Sequence, residues 1–213
     1  MSGYALYDPT ELLSLPSCSV PIIKATSENF KDYGNFVYDY EEENVIIESW
    51  PINGKRKLYP GTGIGGGIAE GKFSYKYDNN LLYAKNEAVG GSYITGITLT
   101  KNNNENNEDE KYIITREANY HPDGGQVFYP LSPDPFILLL ALSGDDVKAS
   151  DYVGFYFDGS CGCQIKANIW HQPVYPLANE SCFMTKQGAV HGCVCYDSVV
   201  EENITLKIKL HNI

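Results

Sequence analysis

The sequence is poor in the features that mark a membrane or nucleic-acid protein. Basic residues are few: 16 Lys and Arg against 27 Asp and Glu leave a formal net charge of −11. No basic patch exists to neutralise phosphates, which argues against a nucleic-acid partner and against an anionic membrane surface. No apolar run is long enough to span a bilayer; the longest, "FILLLAL" at 136–142, suits a buried strand. The opening "MSGYALYDPTELLSLPS" has neither the basic region nor the apolar stretch of a signal peptide, so a cytoplasmic protein is expected. A Gly-x-Ser-x-Gly nucleophile elbow and a P-loop are both missing.

Cysteine is present but sparsely placed. Cys161 and Cys163, and Cys193 and Cys195, form two Cys-x-Cys pairs; Cys18 and Cys182 stand apart. Four thiolates could complete a zinc tetrahedron, yet zinc ligands are usually spaced by two or more residues. On a strand, Cys-x-Cys places both side chains on one face, where they serve as small core residues.

Strand-forming and turn-forming residues are abundant. Seventeen tyrosines and twenty glycines point to strands joined by tight turns, and 43 % hydrophobic residues can fill a core. Residues 1–213 are read as one domain. Short helices are expected at 8–15, with Asp8 as cap, and at 26–34, capped by Thr26 or Ser27; "GDDVKASDY" holds a further turn. Strands are expected at 44–50, in a hairpin over 72–86 turned by "DNN", on both sides of "KNNNENNEDEK" (101–111), and near 125–129, 136–142, 152–157, 163–170, 190–197 and 204–210. The 101–111 run is low complexity and reads as a hairpin-tip insert. Many short strands with Gly, Pro and Asn turns predict a closed barrel or jelly roll whose mouth takes a small ligand.

Two polar segments stand out as a candidate site. In "NYHPDGGQVFYPL" (119–131) a Pro-Gly-Gly turn separates His121 from Gln126, and both can point into one cavity. In "CQIKANIWHQPVYPL" (163–177) strict alternation puts Lys166 and Trp170 on one face and His171 on the other, unless a bulge or strand end intervenes. His191 reads as a half-buried strand residue and His211 as solvated. Gly61, Gly63 and Gly66 spell Gly-x-Gly-x-x-Gly, but a tyrosine-rich hairpin follows where a dinucleotide site needs a helix. That stretch is therefore a plain turn or a loop over the pocket.

Read together, the two segments resemble the ureidoglycolate lyase family. The similarity lies in His121, Pro122, Gln126, Phe128 and Pro130, and in Asn168, Trp170, His171 and Pro173. Asp158, Gly159 and Gly162 match the turn that precedes the second segment. Tyr120 stands where many members have a basic residue, and Lys166 where bacterial members often have histidine. The resemblance implies an all-β, cupin-like double-stranded barrel with a few short helices. It implies a carbon–nitrogen lyase that splits a ureido carbinolamine into glyoxylate and urea, in allantoin and purine catabolism, and acts as a homodimer. His121 and His171 would be base and acid, in an order left open. Gln126, Lys166, Tyr120 and Trp170 would line the substrate site. No tightly bound cofactor is expected, since the His-x-His of metal-binding cupins is missing; a divalent metal is possible. The alternatives are a metal-dependent cupin isomerase or dioxygenase, and a non-catalytic module that binds a small acid.

Overall fold

The computed structural model describes residues 9–46, 67–103, 108–121, 124–189 and 194–211. In chain order, α1 (Pro9–Ser14) leads to β1 (Ser17–Ser19), β2 (Ile22–Lys24), α2 (Ser27–Phe30) and β3 (Gly34–Val37). A run of long strands follows: β4 (Ile68–Asp78), β5 (Leu81–Asn86), β6 (Gly91–Asn103) and β7 (Glu108–Thr115). Next come β8 (Glu117–Tyr120), β9 (Gln126–Pro130), β10 (Phe136–Ala141), a 3-10 turn at Ala149–Asp151, β11 (Val153–Phe157) and β12 (Gly162–Ile165). The chain closes with β13 (Trp170–His171), β14 (Tyr175–Pro176), β15 (Glu180–Gly188), β16 (Val194–Asp197), α3 (Ser198–Glu202) and β17 (Thr205–Leu210).

Local chemistry explains the short elements. Thr26 Oγ1 accepts from the backbone N–H of Asn29 at 3.2 Å, and Asn29 Oδ1 accepts from that of Thr26 at 2.8 Å. This reciprocal cap starts α2 and directs Phe30 into the core, edge-on to Phe155 and Phe157. The β4–β5 hairpin turns on Asn79 and Asn80, both left-handed at φ 48° and 64°. A turn with both central residues left-handed matches the right-handed twist of paired strands, and asparagine tolerates that region. Asp197 caps α3 by accepting from the N–H groups of Val199 and Val200.

Among the described residues the strands form two sheets. The larger runs β1-β17-β7-β6-β5-β4-β15-β9-β12-β3, and the smaller runs β16-β8-β13-β10-β11-β2, with β14 also on β10. One core joins them. Every residue of β10 is buried, as an uninterrupted apolar run requires. Phe136 of β10 meets Phe183 of β15 edge-on at 5.1 Å, across the gap between the sheets. Mainly-β architecture with a few short helices is what the sequence predicts, and the two-sheet build is consistent with a cupin-like barrel.

The structure differs from the sequence reading at several places, among them the short strands β1, β2, β3 and β14, which the sequence reading lacks. The strand expected at 163–170 is two: β12 pairs β9 and β3, whereas β13 pairs β10 and β8 in the other sheet. The chain crosses between sheets at Asn168, which adopts φ 65°. β15 has no counterpart among the strands the sequence predicts, because its buried Ser181, Thr185 and Gln187 hide the apolar alternation. At 44–50, residues 44–46 carry no regular structure, and 47–50 lie outside the described residues, as do Asp8 and 59–66 of the glycine-rich stretch. The arms of the β6–β7 hairpin pair as far as Asn103 and Glu108, so the strands run well into the Asn-rich insert.

A second, smaller apolar cluster lies on the outer face of the large sheet. Val37, Tyr40 and Val45 cover Val127 there. Lys186, 6 % exposed, donates from Nζ to the carbonyls of Tyr40 and Glu43, both at 2.9 Å. These bonds pin residues 40–45 against the sheet.

Candidate functional site

Between the sheets lies a cavity, open at its mouth, bounded by β4, β5, β6, β8, β9, β13 and β15. Its walls mix apolar surface from Phe73, Ile94 and Pro173 with a dense set of polar groups. His121 and His171 both line it, each 3 % exposed, with ring centroids 4.9 Å apart and planes tilted by 54°. His121 follows β8, whose residue Asn119 pairs in register with His171 on β13. Gln126 opens β9 after Gly124 and Gly125; Pro122 and Asp123 lie outside the described residues. Gly125 is needed because a Cβ there would come within 2.1 Å of the Ile165 carbonyl oxygen, where β9 runs against β12.

His171 is held by polar contacts on both ring nitrogens. His171 Nδ1 lies 2.7 Å from the carbonyl oxygen of Ile169, and Nε2 lies 3.2 Å from Gln126 Oε1. Gln126 Nε2 donates to Thr185 Oγ1 and to Gln187 Oε1, both at 3.2 Å. Asn86 Nδ2 donates to the same Gln187 oxygen at 2.9 Å. Gln172 accepts at Oε1 from the hydroxyls of Thr115, at 3.0 Å, and Tyr175. The Oδ1 of Asn119 is buried and has no hydrogen-bond partner among the described residues. A buried acceptor left so is costly, and a ligand N–H would satisfy it.

Glu117 also lines the cavity. Burial pushes its carboxyl up to about 7; the nearby Asp197 charge adds to the shift and Arg116 opposes it. Arg116 is itself engaged, donating from Nε to Asp197 Oδ1 at 2.9 Å. A carboxyl that titrates near neutrality can gain or lose a proton at working pH.

Not every residue singled out by sequence reaches the cavity. His121, Gln126 and His171 do. Lys166 does not: β12 ends at Ile165, and the exposed Lys166 side chain donates back to the carbonyl of Lys31. Trp170 is fully buried on the opposite face of β13, with Nε1 donating to the Gly144 carbonyl at 2.8 Å. Tyr120 packs edge-on against Trp170 at 4.6 Å and is likewise on the far side of β8 from the cavity. Strand parity explains both displacements, since neighbouring residues point to opposite faces.

The same parity would have found what the sequence reading missed. Glu117, Asn119 and His121 are spaced by two along one strand and all line the cavity. Asn86, Gln172 and Gln187 carried no such local signal. Cys163 is fully buried and Cys161 nearly so, as core residues are. Cys193 and His191 lie outside the described residues, and His211 is half-buried near the end of β17. Among the described residues no group of three or more His, Cys, Asp or Glu side chains could hold a metal ion. No helix among them is long and apolar enough to cross a membrane.

Comparison with known proteins bears on this cavity directly. Residues 103–207, which carry both histidines, match the family described as ureidoglycolate lyase. A ureidoglycolate lyase of Pseudomonas syringae pv. tomato is 30% identical over 83 residues, covering 39% of this chain and 49% of that protein. Ureidoglycolate lyases of Salmonella enteritidis PT4 and Salmonella paratyphi B are each 30% identical over 73 residues, covering 34% of this chain and 46% of theirs. The chain thus spans about half the length of the curated relatives it matches.

Proposed function

We propose that this chain, whose residues 103–207 match the ureidoglycolate lyase family, cleaves ureidoglycolate, or a close ureido carbinolamine, to glyoxylate and urea. The observation that carries this reading is the imidazole pair, 4.9 Å between ring centres, in a cavity that also holds an unpartnered amide oxygen.

The reaction asks for what the site contains. A base removes the proton of the carbinol hydroxyl. The oxygen's electron pair forms the aldehyde C=O as the carbon–nitrogen bond breaks, and an acid protonates the departing urea nitrogen. The hydroxyl and the nitrogen sit on one carbon, so base and acid have to be close neighbours, as His121 and His171 are. Asn119 Oδ1 is suited to accept an N–H of the ureido group, and the apolar wall from Phe73 and Ile94 keeps water from competing. The carboxylate of the substrate needs a cation. Lys166 lies outside the cavity and Arg116 is paired with Asp197, so among the described residues lining the cavity a protonated imidazole is suited to that part.

On this reading the protein works in allantoin catabolism as a cytoplasmic homodimer with an anionic small molecule as substrate. The test is coupled detection of glyoxylate when the purified protein is given ureidoglycolate. His121→Ala and His171→Ala are each expected to lower turnover by at least about a hundredfold, the usual worth of a positioned acid or base, with unchanged circular dichroism. A folded wild-type protein that releases no glyoxylate refutes the proposal.

A further inference from the structure

We propose that a relay of buried amides, set by the backbone N–H of Ala88, holds His171 doubly protonated, which makes it the acid and the carboxylate anchor and leaves His121 as the base. Each link fixes the next. A backbone N–H can only donate, so the 3.0 Å contact from Ala88 N makes Asn86 Oδ1 an acceptor. Asn86 therefore turns its Nδ2 to Gln187 and donates to Oε1. Gln187 Oε1 also receives Nε2 of Gln126, which orients that second amide in turn. Gln126 is left showing its oxygen to His171 Nε2, 3.2 Å away. On the other side of the ring, Nδ1 faces the Ile169 carbonyl, another pure acceptor, at 2.7 Å.

A neutral imidazole has one N–H and one lone pair. Either neutral tautomer would set a lone pair against an oxygen here. The imidazolium satisfies both contacts. Asn86, Gln126 and Gln187 are 2 %, 3 % and 1 % exposed, so water does not relax the pattern. Among the elements packed around the ring, β8 contributes Glu117, with His121 just beyond it, and β6 contributes Tyr93. β10 is wholly apolar, and Lys186 of β15 points away to residues 40–45. A buried imidazolium is favoured by an anion beside it, and the substrate carboxylate is one.

The roles follow, and they rest on the lyase reading; the protonation state does not. His121 takes the hydroxyl proton, the carbon–nitrogen bond breaks towards nitrogen, and His171 gives its Nε2 proton to that nitrogen. The 3.2 Å bond to Gln126 is long enough for the substrate nitrogen to compete for it. Once neutral, His171 faces two oxygens, so a proton passing from the adjacent His121 resets the pair.

The experiment is imidazole ¹⁵N NMR of the whole protein at neutral pH, with the His171 signals identified by their loss in His171→Asn. Both nitrogens of His171 are expected at the shifts of a protonated ring; one nitrogen in the lone-pair region overturns the proposal. Asn86→Asp reverses the relay, because the introduced carboxylate keeps its bond to Ala88 N but now accepts from Gln187. Gln187 and Gln126 then turn over, and His171 meets an N–H. His171 should lose its second proton at lower pH in this variant, with turnover at pH 7 falling at least tenfold. Simple attraction to the new negative charge would move His171 the opposite way, so an unchanged or later deprotonation overturns the relay. If Asn86→Asp does not fold, Gln126→Met removes the acceptor directly, and a His171 that stays doubly protonated there has the same force. A wild-type protein that makes no glyoxylate removes the lyase reading while the spectrum still decides the relay.

Discussion

Replacing Glu117 by glutamine should change how stability depends on pH. Glu117 lines the cavity, and burial, with Asp197 beside it, raises its carboxyl from 4.5 to about 7 in the folded protein. A raised acid favours the folded state when protonated. Below pH 4.5 the carboxyl is protonated in both states and this contribution is fully present. As pH climbs from 4.5 the unfolded chain ionises first, and the advantage is lost by about pH 7, where the folded carboxyl ionises too. At about 1.4 kcal/mol per unit, the gap between 4.5 and about 7 amounts to about 3 kcal/mol. That is a large fraction of a stability of roughly 5–15 kcal/mol. Glutamine is uncharged throughout, so Glu117→Gln should gain on the wild type by about 3 kcal/mol between pH 4.5 and pH 8, measured by urea unfolding at several pH values. Other groups titrate equally in both proteins and cancel in the difference. A gap between the two midpoints that does not change with pH would refute the reasoning. Activity should follow: once ionised, Glu117 repels an anionic substrate, so KM should rise above pH 7 in the wild type and stay flatter in Glu117→Gln.

Asn119→Leu removes the unpartnered oxygen from the cavity and should raise KM for a ureido substrate by roughly tenfold, the worth of one hydrogen bond of about 1.4 kcal/mol; an unchanged KM in steady-state assays would take Asn119 out of the site. Lys166→Ala should leave kcat/KM within about twofold, since the side chain lies outside the cavity and an exposed polar contact contributes little; a large loss would mean the lysine reaches substrate. Lys186→Met should cost about 2–4 kcal/mol in denaturant unfolding, because it removes two charged hydrogen bonds to the Tyr40 and Glu43 carbonyls, and hydrogen exchange should rise first at residues 40–45.

Local chemistry made part of this protein readable in advance. The Thr26–Asn29 cap, the turn at Asn79 and Asn80 and the apolar run of β10 each depend on residues only a few positions apart. The candidate pair was readable for a related reason. His121 and Gln126 flank one turn, and His171 sits in a segment that is recognisable beside them. Parity along β8, had it been applied to Glu117, Asn119 and His121, would have added two more groups and set Tyr120 aside.

The amino-acid sequence by itself determined that this is an acidic, mainly-β chain with short capped helices, and it singled out His121, Gln126 and His171. Only the tertiary structure decided which polar residues share a cavity with them. Ile165 and His171 are six positions apart yet belong to different sheets, because the chain crosses between them at Asn168, and Lys166 lies just past the end of β12. Gln187 meets Asn86 across 101 residues of sequence, and Gln126 meets His171 across 45. Hydrogen-bond polarity and burial are properties of groups brought together by folding. Spacing along the chain encodes neither, so the two acceptors facing His171 and the raised carboxyl of Glu117 emerge only when the two sheets close over them.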